Sequence, residues 1–229
     1  MVNAQIWLDA NYPKEARASI TELDISNKNL EGSLDFEGFT NVRKLDFSFN
    51  KITQPYFSSY MSYLEELNVS YNQLSGQYVM ANIPAFLKKF DFSHNNISSY
   101  TINFPSLTHL NASNNVINSL DLHIVNNLVE LDCSNNPLSN LTLNYSPDLI
   151  SFNCLGVKLT TTTTITSPSN LTVTVTPTLS NSSLVTGLSI TTGIFGLYFL
   201  GTMVIAGIWF WKRSRDSKAI PTPGYQMDK

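Results

Sequence analysis

Three histidines, two cysteines and a recurring row of Asp and Asn are the side chains of this sequence best able to do chemistry. His94, His109 and His123 are dispersed, and the chain has no H-E-x-x-H, no G-x-S-x-G and no phosphate-cradling glycine loop. Cys133 and Cys154 each close an apolar-x-apolar triplet, a setting for core thiols rather than exposed nucleophiles, with a disulfide between them as the lesser alternative. The row Asp24, Asp46, Asn68, Asp91, Asn111, Asp132 and Asn153 brings carboxylates together, but Asn mostly separates the like charges and no D-x-D-x-D loop accompanies them. Local hydrogen bonding is therefore expected of this row, not a calcium site. No catalytic residue, metal or cofactor is expected, and recognition is left. Phe49, Tyr71 and His94 occupy one position in consecutive copies of a repeated phrase, with Lys89 and Asp91 close by. Aromatic side chains carry much of the energy of protein interfaces, so these five residues form the expected anchor for a protein or glycan partner. The alternative is a stack that only shields a turn.

The elements that position this patch follow from the repeat. In the copy Leu64, Leu67, Val69, Asn72, Leu74 every fixed position of L-x-x-L-x-L-x-x-N-x-L is filled. Aligning the second apolar position gives Leu23, Leu45, Leu67, Phe90, Leu110, Leu131 and Phe152, spaced by 22, 22, 23, 20, 21 and 21 residues. A near-constant period means one coil per copy. The L-x-L core alternates apolar and polar, which makes it a short strand with one face inward, and stacked coils then give a parallel sheet on the concave side of an arc. Each asparagine turns the chain out of the sheet while its amide satisfies backbone groups of neighbouring coils. Lys28 and Val157 replace it in the outermost copies, where a coil lacks one neighbour.

These residues resemble the leucine-rich-repeat signature, and the resemblance implies an α/β-type solenoid. The opening, Asn3-Ala-Gln-Ile-Trp-Leu to Asn11-Tyr-Pro-Lys-Glu and then Ile20 to Asp35, is similar to the expanded leucine-rich-repeat family of arbuscular mycorrhizal fungi, as is Leu131-Asp-Cys-Ser-Asn-Asn-Pro-Leu138. That likeness implies a curved binding scaffold and brings no catalytic residue with it. About seven repeats over 20–159 are expected, preceded by a helical cap over 1–19. In the cap, Asn3 starts a helix through Ile6, Trp7 and Leu8, and Trp7 and Tyr12 cover the edge of the first coil. A three-residue apolar run broken by Asp9 does not read as a secretory leader. On the solvent face, Glu22, Lys44, Glu66, Lys89, His109, Glu130 and Ser151 form a column in which alternating signs predict a cross-strand charge ladder.

Charge divides the chain. Residues up to Lys158 hold nine basic and fifteen acidic side chains, a net of −6, residues 159–211 hold none, and the last eighteen residues carry +3. An acidic repeat domain argues against a nucleic-acid face. Residues 160–187 read as a disordered, glycosylated stalk, since Thr160 to Ser183 has fifteen Ser or Thr among twenty-four residues. Asn170 and Asn181 are the glycosylation candidates there, whereas sequons at Asn68, Asn96, Asn111, Asn140 and Asn144 are written by the repeat itself. Residues 188–211 hold twenty-four residues without a charge and end in Trp209-Phe210-Trp211, followed by Lys212, Arg213 and Arg215. This reads as one transmembrane helix with the short basic tail 212–229 in the cytosol and the repeats outside, at the plasma membrane. Tail anchoring, with repeats facing the cytosol, is the other topology. Small residues four apart, such as Ser189 and Gly193, allow a helix-mediated homodimer. The expected function is membrane-tethered recognition; the alternative is a structural surface glycoprotein without a discrete ligand.

Overall fold

The computed structural model describes residues 2–57, 61–77, 86–143, 146–157 and 172–174, all within one compact unit that spans Met1–Thr191. The chain starts with strand β1 (Val2–Asn3), helix α1 (Ala4–Asn11) and helix α2 (Lys14–Arg17). The Asn3 side chain accepts from the Ile6 amide at 3.0 Å, so the N-cap read from the sequence is in place. Trp7 and Tyr12 pack against the core as expected, their ring centroids 6.3 Å apart, and Tyr12 meets Phe39 edge-on at 6.0 Å.

What fixes this cap is a residue that repeat patterning does not single out. Arg17 is a charged side chain only 1% exposed. It donates to the Tyr12 carbonyl (2.9 Å), the Glu37 carbonyl (2.9 Å) and the Asp9 carboxylate, and its guanidinium lies over the Phe39 ring. Gly38 stands beside it with φ +89°, where a Cβ would meet the Arg17 side chain at 3.3 Å. A buried charge persists when its donors are matched, and here two carbonyls and one carboxylate match them.

From Glu22 onward the coil repeats. The front of each coil is a three-residue strand: β2 (Glu22–Asp24), β4 (Lys44–Asp46), β6 (Glu66–Asn68), β8 (Lys89–Asp91), β10 (His109–Asn111), β12 (Glu130–Asp132) and β14 (Ser151–Asn153). They pair in parallel and in register, Leu23 to Leu45 to Leu67 to Phe90 to Leu110 to Leu131 to Phe152, as the aligned spacing requires. These seven residues are at most 2% exposed. The next inward column, Ile25, Phe47, Val69, Phe92, Ala112, Cys133 and Cys154, is equally dry. Both cysteines are free, so the core-thiol expectation stands and the bridge does not form.

The return side differs from the α/β expectation. It consists of strands too: β3 (Leu30–Asp35) and β5 (Lys51–Tyr56) pair with β1, while β7 (Ser75–Gln77), β9 (Asn96–Thr101), β11 (Ser119–Leu122) and β13 (Asn140–Leu143) form a second parallel sheet. Among the described residues the only helices belong to the cap. A period of 20 to 23 residues explains this. After the front strand and its two turns, too few residues remain for a multi-turn helix at 1.5 Å per residue, whereas strand at about 3.3 Å per residue spans the coil. The molecule is a parallel β-solenoid.

A second correction concerns the stalk. Three of its residues, β15 (Thr172–Thr174), extend the front sheet by pairing in register with β14, Val173 opposite Phe152. The array thus continues past residue 159, and at the same 21-residue step. Asn170, Asn181, the other stalk residues, the apolar span 188–211 and the tail 212–229 lie outside the described residues. Among the described residues no helix is long and apolar enough to cross a membrane.

Candidate recognition surface

Each coil leaves the front sheet by the same sequence of local bonds. The Asx residue that ends the strand accepts from the backbone amide two residues on: Asp24 from Ser26, Asp46 from Ser48, Asn68 from Ser70, Asp91 from Ser93, Asn111 from Ser113 and Asp132 from Ser134, at 2.8 to 3.2 Å. This Asx turn bends the chain. The following residue takes left-handed backbone angles in six consecutive coils: Asn27 (φ 54°), Phe49 (53°), Tyr71 (52°), His94 (52°), Asn114 (54°) and Asn135 (53°). Its amide donates to the next coil, as Tyr71 does to the Ser93 carbonyl at 3.0 Å, so the conformation is locked from both sides.

The repeat asparagine comes next and acts as the sequence indicates. Asn115 accepts from the Ile97 amide (3.0 Å) and donates to the carbonyls of Phe92 (3.0 Å), Ala112 (3.3 Å) and Ser113 (3.2 Å). Asn50, Asn72, Asn95 and Asn136 repeat the pattern, each reaching the preceding coil. Among the described residues no buried side-chain nitrogen or oxygen lacks a partner.

The left-handed column carries the aromatic patch. Asparagine tolerates these angles because its short side chain bonds locally, while a bulky residue pays roughly 1–2 kcal/mol there. Asn fills the outer coils and Phe49, Tyr71 and His94 fill the three between. Phe49 stacks on Tyr71 with centroids 4.2 Å apart at 11°, and Tyr71 stacks on His94 at 3.9 Å and 12°. Phe49 is 53% and Tyr71 42% exposed, so the pile stands in solvent. The structure thus brings these three sequence-derived residues into one contiguous stack at the rim of the front sheet.

The other two candidates lie on the floor. An open groove of roughly 770 Å³ runs over the front sheet from Glu22 to Asn153, with Lys89 and Asp91 in its lining. Lys89 pairs with Glu66 at 3.3 Å and Lys44 with Glu22 at 3.5 Å, so the charge ladder forms in the first four coils. Asp91 accepts from the Asn111 side-chain amide at 3.1 Å, Asp46 from Asn68 at 2.9 Å and Asp132 from Asn153 at 3.0 Å. The row the sequence flags for metal is a hydrogen-bonded Asp–Asn ladder. The Ser26 hydroxyl and amide hold the Asp24 carboxyl below its ordinary range. Burial pushes the Cys133 thiol well up and Cys154 up to about 11, which removes both from nucleophilic chemistry near neutral pH.

One part of the surface escapes the motif analysis. At the opposite rim, one residue before the first leucine of the copy, Tyr63 and Phe86 stand 53% and 65% exposed on neighbouring coils. Arg43 lies over the Tyr63 ring, and Glu65 accepts from Arg43 (2.9 Å) and Lys88 (2.8 Å). Aligning that column as the others were aligned would have exposed the pair. On coils two to four the groove is therefore edged by aromatic side chains on both sides.

Comparison with known proteins now adds to this geometry. Residues 60–77 match the family model for a leucine-rich repeat. The chain holds a leucine-rich repeat, and its coils are those of a leucine-rich-repeat solenoid. Among solved structures it is similar to the functional domain of InlJ from Listeria monocytogenes, which includes a cysteine ladder, with a TM-score of 0.51 and 23% identity. The likeness covers 70% of this chain and 40% of that one, so the chain spans less than half of the InlJ domain. At that identity the match speaks for the fold. No curated protein matches the sequence.

Proposed function

We propose that this leucine-rich-repeat solenoid is a non-catalytic recognition module that holds a protein partner across its front sheet, with Phe49, Tyr71 and His94 as the anchor. The observation that carries the reading is the exposed stack on left-handed backbone: three consecutive coils replace the comfortable asparagine with an aromatic ring and leave the rings in water. A protein fits better than a glycan. Stacking against a sugar needs a free aromatic face, and both faces of Tyr71 are covered by its neighbours at about 4 Å. What the pile offers outward is ring edges, a hydroxyl and an imidazole, which suit the mixed apolar and polar side chains of a polypeptide.

The uncharged span 188–211 and the basic residues after it support a single-pass anchor at the plasma membrane with the repeats outside, and the small residues at four-residue spacing support pairing of two such helices. Asn170 and Asn181 are then glycan acceptors between scaffold and bilayer. The similarity of the opening residues to the mycorrhizal fungal family agrees with a recognition role. Cys133 and Cys154, stacked on adjacent coils, are two rungs of the kind a cysteine ladder describes and serve packing here.

A photo-crosslinking amino acid placed at Phe49 of the full-length protein on intact cells tests the function. A discrete protein adduct that disappears in Tyr71→Asn, and is absent when the crosslinker sits at Asp121 on the back sheet, is expected. Equal adducts from both positions would contradict the reading.

A further inference from the structure

The charges of the front groove do not balance, and the imbalance identifies the partner's chemistry. Nine ionised side chains line it: Glu22, Asp24, Asp46, Glu66, Asp91, Glu130 and Asp132 against Lys44 and Lys89, a net of −5. Both lysines are already engaged, Lys44 with Glu22 and Lys89 with Glu66. Beyond the lining, Arg43 and Lys88 are held by Glu65. Among the described residues, Asp46, Asp91 and Asp132 have no ion pair, and their carboxylates receive only neutral donors: a serine amide and an asparagine side chain each. Asp46 and Asp91 end β4 and β8, two coils or about 9.6 Å apart at the usual strand spacing. Three residues after each stand Phe49 and His94, the ends of the aromatic stack.

We infer that the partner presents a basic polypeptide segment to this groove, with Arg or Lys side chains over Asp46 and Asp91 and apolar side chains against Phe49, Tyr71 and His94. The inference rests on the recognition reading above and specifies its ligand. Charge complementarity selects this occupant. An acidic segment would meet five uncompensated negative charges, and a second copy of the same face would set like charges opposite each other. Desolvating a carboxylate is repaid best by a guanidinium, whose remaining donors reach the free lone pairs that the serine and asparagine donors leave.

The test uses the full-length protein and a fluorescent peptide carrying arginine and leucine in a glycine-serine background, with a twin that has glutamate for each arginine. Fluorescence anisotropy should show the arginine peptide binding at least about tenfold more tightly than the twin, with affinity falling as salt rises. Asp46→Asn with Asp91→Asn keeps the side-chain shape and should weaken the arginine peptide about tenfold, while Glu15→Gln with Glu31→Gln, outside the groove, should leave it unchanged. Phe49→Asn with Tyr71→Asn should weaken it as well. Equal binding of the two peptides, or equal losses from the groove and control pairs, overturns the inference. If the aromatic pair weakens both peptides while the aspartate pair changes neither, the recognition reading survives and the basic partner falls. If the aspartate pair alone matters, both fall, since the stack is then a bystander.

Discussion

Replacing Asn115 by alanine should destabilise the solenoid by about 3 kcal/mol, a figure that follows from its bonds. The residue is 7% exposed and makes four hydrogen bonds, one accepted from the Ile97 amide and three donated to the carbonyls of Phe92, Ala112 and Ser113. Alanine leaves the Ile97 amide without its acceptor, at a cost of about 1–3 kcal/mol, and removes a donor that three carbonyls share. For a domain of this size, each 1 kcal/mol moves Tm by roughly 2–4 °C, so a fall of about 6–12 °C is expected in thermal unfolding followed by circular dichroism. Asn115→Asp sharpens the test. It keeps the shape and the acceptor for Ile97 but turns an oxygen toward three carbonyls, so it should cost at least as much as alanine. An aspartate variant as stable as the parent, or an alanine variant losing under about 1 kcal/mol, would refute the idea that the amide ladder holds one coil to the next.

Three further outcomes follow. Arg17→Leu leaves two carbonyls and Asp9 without their donor and should cost about 3 kcal/mol, with protease cutting first within residues 4–20 in limited proteolysis. Arg17 also holds the Asp9 carboxyl below its ordinary value of 3.8, so that contact stabilises the fold above this pH and is lost as pH falls below it; Arg17→Leu should flatten the acid limb of a stability-versus-pH curve. The two thiols work in the opposite direction: their native values are raised from 9.0, Cys154 to about 11, so stability is full below pH 9 and declines as pH rises toward 11, and neither should react with iodoacetamide at pH 8 until the protein unfolds.

The front sheet was legible in the sequence because its constraints are repeated seven times over. A leucine that must be buried in every coil and an asparagine that must bond three carbonyls leave little freedom, and both recur at fixed steps. The aromatic rim was legible for the same reason, as Phe49, Tyr71 and His94 share a register. Their left-handed backbone was less so, since Phe and Tyr argue locally against it and only their asparagine neighbours Asn27, Asn114 and Asn135 hint at it. The return strands went unread because the segments behind the turns, such as Lys51–Tyr56 and Ser75–Gln77, share no common pattern of apolar residues. Arg17 was hidden because an arginine pattern says surface, and its burial depends on carbonyls that only the folded cap brings together. Thr172–Thr174 were masked by composition: a Thr-rich stretch reads as stalk, yet Val173 falls on the coil period, 21 residues after Phe152.

The central claim is that Phe49, Tyr71 and His94 are present for a partner and not for the fold, and one unfolding experiment addresses it without knowing the partner. Substituting all three by asparagine relieves roughly 1 kcal/mol of left-handed strain at each position and forfeits two ring stacks worth about 0.5–1.5 kcal/mol each. The two effects offset, so the triple variant should melt within a few degrees of the parent or above it. A fall in Tm of more than about 8 °C, which for this chain length corresponds to at least about 2 kcal/mol, would show that the stack holds the coils together and would contradict the account.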